Sequence, residues 1–150
     1  MIAVLGRAVR GAAAGCAGAM AMSGVLLAAK RLGATPKVEP EAIVEAGLDA
    51  VDVDRSERHE NVLASLAHLA YGAGMGSLYG LVQPYLRVPG WLSGPCFGGL
   101  IAVASYEGWV PAAGILPPLR HQRGGRRWQL LVAHGVYGAV LGRLAGSASD

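Results

Sequence analysis

Three ionisable side chains sit in or beside long apolar runs. His68 and His134 lie inside uncharged stretches, and Glu107 closes a third. Tyr71 and Tyr137 follow the two histidines by three residues, one helical turn deeper on the same faces. At 1.5 Å per residue His68 lies roughly 10 Å and His134 roughly 9 Å into its run, counted from the side of the two longer loops. Glu107 ends its run on that side, so all three groups are expected at one end of a bundle. Ionisable groups inside a membrane are costly and default to functional candidates. Here they suggest a proton or ion relay. Two imidazoles with a carboxylate also suit iron or zinc, and two facing imidazoles suit haem. Neither has a diagnostic spacing, so the metal question stays open and no cofactor is expected. The plainest alternative is structural: each imidazole hydrogen-bonds a carbonyl or a neighbouring tyrosine, and Glu107 pairs with an arginine of the 120–127 loop.

The elements that carry the histidines are copies of each other. AHLAYGAGMGSLYG at 67–80 returns as AHGVYGAVLGRLAG at 133–146, an offset of 66 with eight identical residues. Within each copy the histidine and three glycines are spaced by four: His68, Gly72, Gly76, Gly80 and His134, Gly138, Gly142, Gly146. On a helix that spacing makes one stripe, and a glycine stripe lets two backbones touch. The expected contact is between these two glycine faces, within one chain or across a dimer. Two other stripes of small residues occur, Gly11, Gly15, Ala19, Ser23 and Gly94, Gly98, Ala102, Tyr106. Aligning Ser23 with Ser105 gives a second offset of 82, hence a 16-residue insertion in the first polar loop.

Charge is segregated. Residues 11–29, 61–86, 88–106 and 128–142 carry none, over 19, 26, 19 and 15 positions. About 20 apolar residues cross a bilayer core, and Arg143 can snorkel from the end of the last run. The expectation is an all-α, single-domain (1–150) transmembrane bundle with spans at about 9–30, 61–86, 91–110 and 128–146. It consists of two similar helical hairpins related by an axis along the membrane normal. Ala19-Met20-Ala21 resembles a cleavage site, but the apolar run continues to Ala29, so the first run is read as a span. The polar segment 30–60 holds five basic and eight acidic residues, and Pro40 with Glu41 can start a short amphipathic helix there. Its acidic residues lack the order of a calcium loop. Tyr85 and Trp91 flank a tight turn, as interfacial aromatics do.

The other classes find little support. A basic stripe interleaved with aromatics is missing, so nucleic acid is not an expected partner. Cys16 and Cys96 read as small buried hydrophobes, with no metal or redox spacing. No nucleophile elbow, phosphate loop or HExxH occurs, and the glycines fall inside spans, so the reading leans away from an enzyme. Basic residues number four on the side of the termini and the turn (Arg7, Arg10, Arg87, Arg143) against nine on the other. That favours cytoplasmic long loops and outside termini.

SYEGWVPAAGILPP at 105–118, followed by a basic loop and AHGVYGAVLG, resembles the YagU-like small inner-membrane proteins of bacteria, a domain of unknown function. The resemblance implies a four-span inner-membrane protein with a loose link to acid tolerance. It supplies no catalytic residues. Two functions compete. One is a structural or accessory membrane protein, with glycine faces holding it to itself or to a larger complex. The other is a small transporter or proton-handling protein using His68, His134 and Glu107.

Overall fold

The structure is a computed structural model and describes residues 1–33, 57–122 and 124–146. The amphipathic helix expected near Pro40 lies outside the described residues. What is described is all-helical, built on four long helices: α1 (Ile2–Arg31), α2 (Glu57–Val82), α3 (Gly90–Val103) and α4 (Gly124–Gly146). Alanine, the best helix former, fills much of α1, and no proline interrupts it. Lys30 and Arg31 complement the dipole in its last turn, and Gly33 ends it at φ +71°, a left-handed conformation suited to glycine. A 3-10 turn, Gln83–Tyr85, leads from α2 towards α3, which starts after Pro89 in extended conformation.

α3 is not the uninterrupted span expected over 91–110. Beyond Val103 the chain widens into a π-helical segment, Ala104–Trp109, leaves helical geometry at Gly108 and regains one turn at Val110–Ala112. Pro111 sits within that turn, and Pro117 and Pro118 follow in non-helical chain before a 3-10 turn at Leu119–His121. The loop then folds back, and Leu119 joins Tyr106, Val110 and Leu130 in a small apolar cluster.

The glycine stripes pair within hairpins. A methyl placed on Gly15 would fall onto the carbonyl of Gly72 and 3.0 Å from Gly76 Cα, and one on Gly11 onto the carbonyl of Gly76. In the second hairpin Gly90 meets Gly142, Gly94 meets Gly138, and Gly98 meets the His134 carbonyl. Thus α1 packs on α2 and α3 on α4, while α2 and α4 barely touch. The expected contact between the α2 and α4 glycine faces is therefore incorrect. Each face is already occupied by the small-residue stripe of its own hairpin partner, which no side chain holds off. Ser77 adds a hydrogen bond from its hydroxyl to the Ala8 carbonyl, 3.1 Å.

These contacts also correct the second offset. Gly11 and Gly15 occupy the places that Gly90 and Gly94 take in the other hairpin, so the helices match at 79 and not 82. The difference from 66 is then 13 residues. Ser23 and Ser105 are alike in type only.

The hairpins join asymmetrically. α1 packs along α4, with Tyr137 seated against Gly18, whereas α2 and α3 make no comparable backbone contact. At the offset of 79, Gly18 corresponds to Phe97. Where α1 leaves room for Tyr137, α3 carries a ring, which packs on Tyr79 with centroids 5.3 Å apart. Tyr79 is fully buried and shares a 2.7 Å hydrogen bond with the Ser93 hydroxyl, closing the turn end of the α2–α3 seam. Tyr79→Phe is expected to lower stability by about 1 kcal/mol. Chemical or thermal unfolding of the variant checks this. An unchanged midpoint would show that the bond contributes nothing to closing the seam.

Candidate functional site

Because α2 and α3 stand apart away from the turn, a cavity of about 220 Å³ opens between them, bounded by all four helices. α1 supplies Ala19 and Met22 to its wall, α2 supplies His68 and Tyr71, and α4 supplies His134 and Tyr137. Ser105, Tyr106 and Trp109 enter from the π-helical segment that follows α3. The widened turn carries these three residues.

The repeat mates differ in their surroundings. His134 is buried, and its Nδ1 lies 2.9 Å from the Leu130 carbonyl one turn back. A carbonyl only accepts, so Nδ1 donates, and the neutral ring keeps its lone pair on Nε2. Tyr106 meets this ring edge-on at 5.7 Å between centroids. His68 has its Nε2 buried without a hydrogen-bond partner. Tyr137 is 4% exposed and donates its hydroxyl to the Gly72 carbonyl at 2.8 Å, tying α4 to α2. Tyr71 is 44% exposed and reaches only the Ser105 hydroxyl, at 3.4 Å across the seam.

Of the five residues singled out for a proton or ion layer, four line this cavity: His68, His134, Tyr71 and Tyr137. Both imidazoles face this one cavity. Glu107 stands apart from them. Its carboxylate accepts from the Arg120 backbone N–H at 2.8 Å and pairs with the Arg120 guanidinium. Among the described residues no three of His, Cys, Asp and Glu come together as a metal site would require. The three-membered layer is corrected to two histidines with hydroxyl neighbours, because the returning loop takes the carboxylate. Among the described residues no charged side chain lines the cavity.

Of the glycines of α2 and α4 singled out above, only Gly72 reaches the cavity wall among the described residues, where its carbonyl accepts from Tyr137. These glycines hold the hairpins together and so fix the depth of each histidine. Cys16 lies partly buried with its thiol 3.9 Å from the Leu69 carbonyl, but Cys96 is exposed, unlike the buried pair expected. Sequence reasoning did not reach Trp109 or Met22 as lining residues. The Gly18 and Phe97 difference was visible in the chain, but only the right offset brings them into register.

Comparisons with protein-family models, curated proteins and solved structures return no match, so the YagU-like resemblance rests on the quoted residues alone.

Proposed function

We propose that this chain is a four-span inner-membrane protein that receives a small molecule in the cavity between α2 and α3, as a binding or carrier protein. The observation that carries the reading is the cavity itself: walls from every helix, two imidazoles, and an unpartnered buried nitrogen at His68. Buried polar atoms normally have partners, and an orphan in a cavity suits a ligand.

The membrane setting has its own support. α1 is long and apolar enough to cross a bilayer by length and composition, and only a third of that apolar window is buried within the chain. Leu27, Leu66, Leu78, Leu100, Val103 and Val132 are exposed on the outer faces of the four helices. All three tryptophans are exposed: Trp91 at the turn end, Trp109 and Trp128 at the loop end. From Trp128 the uninterrupted α4 runs to Gly146, about 27 Å at 1.5 Å per residue and close to the thickness of a hydrocarbon core. Aromatic residues at both edges are the usual interfacial anchors. In this reading the long loops are cytoplasmic and the termini outside. The YagU-like resemblance supports the inner-membrane setting and adds the link to acid tolerance.

The accessory reading, with glycine faces gripping another subunit, is less well supported, because those faces are engaged inside each hairpin. The membrane part is tested with brominated lipids in nanodiscs. Tryptophan emission is expected to fall most with bromines near the headgroup and less with bromines at the chain ends. Equal emission with brominated and plain lipid would remove the four-span reading.

A further inference from the structure

We infer that the cavity takes a neutral, hydroxylated single-ring aromatic molecule, whose hydroxyl donates to His68 Nε2. The inference rests on the cavity being a binding site and names the class of ligand. Charge is decided first. With no charged side chain among the described residues on the wall, and Glu107 held by Arg120, neither an anion nor an ammonium finds a counter-ion there. Size comes next. A dry cavity of about 150 Å³ holds benzene, and sites for drug-sized ligands begin near 300 Å³. At about 220 Å³ this cavity suits one ring with a small substituent.

The wall favours an aromatic ring. Tyr106 and Trp109 offer ring faces and edges, and the thioethers of Met22 and Met75 suit contact with an aromatic. Polarity is set by the histidines. His134 spends its Nδ1 proton on the Leu130 carbonyl, and its repeat mate His68 leaves Nε2 buried and unpartnered. A neutral imidazole whose proton is used in this way presents an acceptor, and the buried Nε2 of His68 has no donor. A phenolic hydroxyl supplies one. The seam beside Tyr71 and Ser105 is bridged only at 3.4 Å, so a ring can enter from the bilayer side by parting that pair.

The test uses full-length protein in nanodiscs and three probes of one shape: 4-fluorophenol, 4-fluoroanisole and 4-fluorotoluene. Binding is read by fluorine NMR, with empty nanodiscs subtracting bilayer partition. The phenol is expected to bind about tenfold more tightly than the other two, the worth of one added hydrogen bond. His68→Leu should bring the three probes level. His121→Leu, whose side chain lies outside the cavity wall, should leave the ratio intact. If anisole or toluene equals phenol in the wild-type protein, the donor rule is overturned while the cavity remains a site. If no probe binds above empty nanodiscs, the ligand class and the binding reading both fall.

Discussion

Gly142→Ala destabilises the protein by about 1–3 kcal/mol, whereas Gly135→Ala, seven positions earlier on the same helix, leaves it unchanged or up to about 1 kcal/mol more stable. The opposite signs follow from what an added methyl meets. At Gly142 it falls onto the Gly90 carbonyl and 2.9 Å from Gly94 Cα, both backbone, so the helices themselves must separate. Nothing lies within 4 Å of a methyl at Gly135, and alanine restricts the unfolded chain more than glycine does. The first hairpin repeats the pattern. Gly76→Ala meets the Gly11 carbonyl and should behave like Gly142→Ala, while Gly74→Ala is open and should behave like Gly135→Ala. Unfolding midpoints in a mild detergent decide the matter. Four similar midpoints would mean that the glycine contacts do not hold the hairpins.

Gly18→Phe is expected to have the largest effect of any single change, above about 3 kcal/mol, since overpacking and a lost hydrogen bond add. It copies into α1 the residue that α3 carries at the equivalent place. A Cβ at Gly18 lies 2.9 Å from both the ring and the carbonyl oxygen of Tyr137, so a phenyl ring displaces that side chain. The displaced hydroxyl loses its 2.8 Å bond to the Gly72 carbonyl, the link between α4 and α2. Tyr137→Phe isolates the hydroxyl and should cost about 1 kcal/mol by itself. Comparing unfolding free energies of the two variants tests the order. A Gly18→Phe protein as stable as Tyr137→Phe would show that α1 and α4 do not depend on this seat.

The sequence carried the helices and their stripes but not which stripes meet. Spacing by four says which residues share a face and is silent on what that face touches. The repeat drew attention to His68 and His134 as equals, and their helices are indeed copies. Their partners are not, since Gly18 stands beside one and Phe97 beside the other, and burial follows the neighbour and not the copied segment. Glu107 illustrates the same limit. Its place at the end of an apolar run fits a histidine layer or a basic loop, and the π-helical turn with the following prolines brings Arg120 to it. That turn was not legible, because proline and glycine mark a break without giving its geometry. The membrane signal is also uneven. Glycine, histidine and tyrosine dilute the apolar character of α2 and α4, so among the described residues only α1 stands out by composition, although exposed large apolar residues occur on all four helices.

The bundle proposed to sit in lipid is closed between α1 and α4 and open between α2 and α3. The five tyrosines report on both parts at once. Labelled as 3-fluorotyrosine in nanodiscs, each gives a fluorine resonance, and dissolved oxygen, which concentrates in hydrocarbon, relaxes those that lipid can reach. Tyr71 is expected to respond strongly, while its repeat mate Tyr137 and the buried Tyr79 and Tyr106 stay nearly unaffected. Equal responses from Tyr71 and Tyr137, or no response from Tyr71, would contradict the open seam.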